Sequence, residues 1–153
     1  MRIRYLLIPL TLVAVPVLGA PLIASADSIR TTEHIVAVQT SADGPTNILA
    51  AGPVTGTGVD NPANDNRDRL VFDDGALVID HKAAKTDAHF DPATCVGHVV
   101  ESGTYTVVGG TGAYRHARGN GTYKTNLVMQ GCDQNKPPAI YLLTIQAEGP
   151  LSV

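Results

Sequence analysis

The chain contains no tryptophan and only two cysteines, and aromatic residues make up 5% of its 153 positions. It also lacks a basic surplus: 11 Lys and Arg stand against 14 Asp and Glu. Polyanion binding needs a positive surface, so nucleic acid is excluded as a partner. The cysteines, Cys95 and Cys132, lack the close CxxC spacing of zinc sites. No convincing amphipathic helix follows the first thirty residues, and no Ser/His/Asp arrangement stands out.

One uncharged apolar run is present. Arg2 and Arg4 precede LLIPLTLVAVPVLGAPLIA (residues 6–24), and Ala24-Ser25-Ala26 follows as a small-x-small exit. A positive start, an apolar middle and a small-residue end predict a secretory signal peptide over residues 1–26. The alternative is an uncleaved anchor, since the run approaches the ~20 residues of a membrane span. Pro9, Pro16, Gly19 and Pro21 weaken that alternative by interrupting a helix. Cleavage after Ala26 leaves a 127-residue domain, residues 27–153, with nine basic and 14 acidic residues, a net charge of −5. The predicted location is extracellular or in the cell envelope, with membrane contact only through the signal segment. In an exported chain, two cysteines read as one disulfide between Cys95 and Cys132. Closing that loop is worth roughly 3–4 kcal/mol in the chain-entropy model.

Short apolar or alternating runs, broken by Gly, Asn, Asp and Pro, predict an all-β domain. EHIVAVQ (33–39) reads as a strand. ILAAGPVTGTGVD (48–60) reads as a second, interrupted near Gly52-Pro53. NPANDNRD (61–68) reads as a polar loop. RLVF-DDG-ALVIDHK (69–82) reads as a hairpin turning at Asp74-Gly75. AAKTDAHFDPATC (83–95) reads as an irregular excursion. Further strands are expected over 98–108, 121–131 and 139–149, with CDQNKPP (132–138) as a loop. Tyr123, Thr125, Leu127 and Met129 fall on one strand face; Tyr141, Leu143, Ile145 and Ala147 fall on another. Six to eight short strands in about 127 residues predict a small antiparallel barrel or sandwich, and closure removes sticky edges.

VVGGTGAYRHARGNGTY (107–123) holds five glycines. Its spacing does not fit GxxxxGK[ST], and no helix-forming stretch follows the GxG, so nucleotide binding is not expected. The glycines read as a turn, with Gly109, Gly110 and Gly112 free to take positive φ and Gly119 and Gly121 allowing a barrel bend. The window resembles the GGTG-x-aromatic-x-x-Ala-x-Gly signature of the allene oxide cyclase and dirigent barrel superfamily, through Gly109, Gly110, Thr111, Gly112, Tyr114, Ala117 and Gly119. ILAAGPVTGTG more loosely resembles an early strand of those proteins. The resemblance implies an eight-stranded antiparallel barrel with an apolar cavity, often a homodimer or homotrimer. It implies neither metal nor organic cofactor. Its members impose geometry on a reactive ligand. The matched residues are scaffold, so the likeness implies fold more than activity.

Candidate site residues follow from strand alternation. Glu33 and His34 point to opposite faces and cannot pair with each other. Asp80 and His81 do likewise, and with His89 and His98 they match no compact ligand spacing, which reads as surface histidines. Glu101 shares a face with Val99, Tyr105 and Val107. On the lumen side it becomes a partly buried carboxylate able to act as acid or base; on the outer side it is a solvated charge. Arg115, His116 and Arg118 form a basic cluster that reads either as solvated turn charges or as an attractor for a carboxylate-bearing ligand at a barrel mouth. Tyr105, Tyr114, Tyr123 and Tyr141 read as packing residues or as hydroxyls orienting a ligand. Three functions stay in play: a lumen that binds an apolar or amphiphilic small molecule, a cofactor-free cyclase or isomerase, and a structural envelope protein with a filled barrel. A one-residue register change reverses every inward assignment.

Overall fold

The computed structural model describes residues 31–133 and 135–153; the predicted signal segment lies outside the described residues. Eight strands follow in order: β1 (Thr31–Gln39), β2 (Thr46–Ala51), β3 (Gly56–Asn64), β4 (Arg67–Phe72), β5 (Gly75–Asp91), β6 (Val96–Gly112), β7 (Arg118–Gln130) and β8 (Ile140–Ser152). Each pairs antiparallel with the next, and β8 pairs back with β1, closing the barrel. The period-2 pattern sets the wall. Glu33, Ile35 and Ala37 on β1 and Thr46, Ile48 and Ala50 on β2 are buried, while the residues between them face out.

One end of the barrel is packed solid. Val54, Phe72, Leu77, Tyr114, Ala117 and Leu151 fill it, each 7% exposed or less. Burying a side chain such as Leu77 contributes about 2–3 kcal/mol. The β6–β7 connection caps this end. Tyr114 N donates to Thr111 O at 3.0 Å and Ala117 N to Tyr114 O at 2.9 Å. Gly112 has φ +59, and a Cβ there would meet the Asp74 carbonyl at 2.2 Å. Only glycine fits that turn without strain.

The other end is looser and longer on one side. β5 and β6 each run 17 residues, and residues 82–90 are exposed on both faces. β4 pairs only with the first part of β5, so this hairpin projects past the barrel rim. Lys82 and Lys85 sit on its free edge, where charge discourages pairing with other strands. The Cys95–Cys132 disulfide ties the tip of the hairpin to the β7–β8 loop, with the Cα atoms 5.0 Å apart.

The barrel, its strand number and its disulfide match the sequence reading, and several local expectations are corrected. Residues 48–60 form two strands, because residues 52–55 make a reversal in which Thr55 Oγ1 donates to Gly52 O. Residues 61–68 are not a loop. Apart from a tight turn at Asp65-Asn66, closed by Asn66 N donating to Asn64 Oδ1, they are strand. Residues 83–91 are strand, not an irregular excursion. Their polar character reflects exposure of both faces, which erases the alternation. Asp73 and Asp74 are the turn of the β4–β5 hairpin, and Gly75 already pairs with Phe72. Gly109 and Gly110 belong to β6, so within residues 107–112 only Gly112 adopts positive φ.

Candidate functional site

Between the packed end and the rim lies a cavity of about 250 Å³. Strand direction and side-chain choice divide it into two walls. β1, β2 and β8 supply an apolar wall from Ile35, Ala37, Ile48, Leu143, Ile145 and Ala147. β3 to β7 supply an ionisable wall, with Asp60, Asp68, His81, Glu101 and Tyr123 set among Leu70, Ile79 and Tyr105. No lysine or arginine lines the space among the described residues.

The ionisable wall is a chain of contacts with one gap. Asp68 Oδ2 lies 3.2 Å from His81 Nε2. The His81 ring meets the Tyr123 ring edge to face, with centroids 5.8 Å apart. The Tyr123 hydroxyl donates to Glu101 Oε1 at 2.7 Å, and Thr86 Oγ1 donates to Glu101 Oε2 at 3.0 Å. Asp60 stands apart: its Oδ1 is buried and meets no hydrogen-bond donor among the described residues. Burial, reinforced by the neighbouring Asp68 charge, pushes the Asp60 carboxyl up to about 7. Burial also raises Asp68, partly offset by His81. The Tyr123 phenol is pushed up by burial and by its bond to Glu101.

Glycines let both inward tyrosines lie against the wall. Tyr105 pairs across β6–β7 with Gly121, and Tyr123 pairs with Gly103. A Cβ on Gly121 would sit 2.6 Å from Tyr105 Cε1, and one on Gly103 2.8 Å from Tyr123 Cε1. Each ring therefore occupies space that a larger partner would fill.

The structure gathers some of the sequence candidates and separates others. Glu101, Tyr105 and Tyr123 line the cavity, so the face shared by Glu101, Tyr105 and Val107 is the inward one. Tyr141 shares the inward face of β8, nearer the rim. Tyr114 is buried at the packed end, edge to face with Phe72 at 5.9 Å. Arg115, His116 and Arg118 are exposed around that same closed end. They flank no mouth. His34 faces outward 3.7 Å from Glu148, His98 bonds Asn126 at 2.6 Å, and His89 is exposed. Glu33 turns inward, 1% exposed, and its Oε2 accepts the Val54 N–H at 2.8 Å. It latches the β2–β3 turn rather than lining the cavity.

Three cavity groups escaped the sequence reading. Asp60 and Asp68 bounded what looked like a loop, and His81 was grouped with surface histidines. Their signal is plain once the hairpins are known. Asp68, Leu70 and Phe72 share the inward face of β4, and Leu77, Ile79 and His81 that of β5. Among the described residues no three His, Cys, Asp or Glu side chains are placed to hold a metal ion, and no helix is long and apolar enough to cross a membrane.

No family model, no curated protein and no solved structure matches the chain. The chemistry of the cavity therefore rests on its own residues. A titratable carboxyl near neutrality, a His–Asp pair and a tyrosine–glutamate pair facing hydrocarbon can orient a polar group and exchange a proton with it.

Proposed function

We propose that the protein is an exported barrel that receives a small amphiphilic molecule in its lumen. One observation carries this reading: an apolar wall and an ionisable wall face each other across a space left empty by protein side chains. Ligand sites typically combine a mostly apolar lining with a few convergent polar groups. At about 30 Å³ per water-sized group, the cavity takes about eight heavy atoms. A long chain or a polycyclic ligand would have to extend past the rim. The glycine-rich window and the eight-stranded closure support kinship with the allene oxide cyclase and dirigent barrels. The disulfide is compatible with an oxidising compartment, and the N-terminal pattern supports export.

A second reading is an isomerase or cyclase without a cofactor. The Asp60 carboxyl, poised near 7, favours it, because a group that titrates near the operating pH serves as acid and as base. A filled structural barrel is the least supported of the three readings, since the cavity is not packed.

The test is native mass spectrometry of the protein recovered gently from its own secreting host. A reproducible small-molecule adduct, lost when Ile145→Trp fills the cavity, is the expected result. A bare protein mass, together with no binding of small apolar probes to the wild type, would overturn the lumen reading.

A further inference from the structure

We propose that the lumen selects a small cationic amphiphile: an amine carried on an apolar body of about eight heavy atoms. The inference rests on the lumen-binding reading and adds the charge of the ligand to it.

The argument is a matching of donors to acceptors. The cavity is lined by three carboxylates, Asp60, Asp68 and Glu101, and by one imidazole, His81. Two of the carboxylates are already engaged. Asp68 meets His81, and Glu101 accepts from Tyr123 and Thr86. Asp60 is not, and its buried Oδ1 lacks a donor. A buried acceptor left without a donor costs about 1–3 kcal/mol, which a ligand bringing an N–H relieves. A charged donor does so about twice as strongly as a neutral one. An ammonium group brings both the missing donors and the missing positive charge. A carboxylate ligand brings neither and meets a wall of acceptors. A hydroxyl brings one donor without charge. The basic cluster around Arg115 and Arg118, which would draw an anion, lies at the closed end and does not line the cavity.

The ligand's hydrocarbon part has its own seat. Leu70 pairs with Asp60 from β4, Ile48 lies on the adjacent β2, and Ile35, Leu143 and Ile145 line the same lumen from β1 and β8, so an amine anchored at Asp60 lays its chain on apolar surface. Burying each methylene there contributes about 0.8 kcal/mol. The titratable groups that share the cavity with Asp60 are Asp68 on β4, His81 on β5, Glu101 and Tyr105 on β6, and Tyr123 on β7. Asp68 is the neighbour whose charge opposes ionisation of Asp60. A bound cation acts in the opposite sense and draws the proton off Asp60.

The test is isothermal titration calorimetry on the full-length chain as secreted, disulfide intact, with three probes of matched size: heptylamine, 1-heptanol and hexanoate. Near pH 8 heptylamine should bind at least about tenfold more tightly than 1-heptanol, with hexanoate weakest. Near pH 5.5, where Asp60 carries its proton, the amine preference should shrink. Near pH 7 amine binding should release protons, seen as an enthalpy that varies with the ionisation heat of the buffer. Asp60→Asn should keep 1-heptanol binding and lose the amine preference. Equal binding of amine and alcohol, tightest binding of hexanoate, or an amine preference that survives in D60N would overturn the cation inference while leaving the lumen reading intact. Failure of all three probes to bind would overturn both.

Discussion

Of the carboxylates that point into this barrel, Glu33 and Asp60 live differently. Glu33 sits at the packed end, 1% exposed, and backbone donors hold it: its Oε2 takes the Val54 N–H at 2.8 Å, and burial outweighs those bonds to raise its carboxyl. Asp60 sits in the open half, where no donor reaches its buried oxygen. Both are carried inward by the same strand alternation. The difference lies in what surrounds them. At one end packed side chains and a turn close the space around Glu33; at the other, the inward side chains leave a cavity in front of Asp60. Among the described residues the buried Glu33 Oε1 meets no donor either, so what separates the two acids is the backbone latch on Glu33 Oε2 and the open space in front of Asp60. The Asp60 oxygen is left unpartnered beside open space.

The largest effect should come from damaging the fastened end. Leu77→Ala removes a side chain only 1% exposed and should cost about 2–5 kcal/mol in urea unfolding. Leu143→Ala, on the half-buried cavity wall, should cost clearly less. Equal losses would mean that the two ends are packed alike.

Opening the disulfide comes next. It closes a 37-residue separation and secures the rim rather than the packed end. Cys95→Ser with Cys132→Ser should lower global stability by roughly 3–4 kcal/mol. Hydrogen exchange should quicken most in the projecting β5–β6 hairpin. Faster exchange centred on the packed end would break the division between the two regions.

Asp60→Asn should act in the reverse direction. The Asp60 carboxyl rises from 3.8 to about 7 on folding, so the native state holds its proton at pH values where the unfolded chain has lost it. Its contribution to stability is therefore full below about pH 4 and is lost as pH rises towards 7. The asparagine variant should be more stable than wild type near pH 8, by roughly 1–3 kcal/mol after solvent screening, and its stability should vary less between pH 4 and 7. A destabilised variant at pH 8 would contradict the isolation of Asp60. The smallest effect should come from Tyr123→Phe. Removing one hydrogen bond to Glu101 should cost about 0.5–1.5 kcal/mol, with the barrel unchanged by circular dichroism.

Much of the wall was legible in the sequence, because alternation survives wherever one face is buried. The inward sets Tyr123-Thr125-Leu127 and Leu143-Ile145-Ala147 follow directly from it, and so does the placement of Glu101 beside Tyr105. Alternation failed where both faces are wet, in residues 82–90, and where polar residues occupy inward positions. Pro62 and Asp68 look like loop chemistry and Asp60 like the end of a strand, yet all three line a cavity, because polar residues at inward positions hide the apolar-in rule that makes strands visible. The glycine-rich window was legible only in part. It left Arg115 open as a turn charge or an attractor at a mouth and Tyr114 as packing or a ligand contact, and the turn that carries them seals the packed end. Sequence spacing located the turn but had no means of saying which end of the barrel it closes.

The most direct measurement is a carboxyl-detected NMR titration of Asp60 in the folded protein, assigned by comparison with Asp60→Asn. The account predicts a midpoint near 7, well above that of exposed aspartates such as Asp91 and Asp133, which their hydrogen bonds hold below the usual range. An Asp60 that titrates with those residues, at or below its ordinary 3.8, would show the carboxylate to be solvated or already paired, and the two-walled lumen would lose its distinguishing feature.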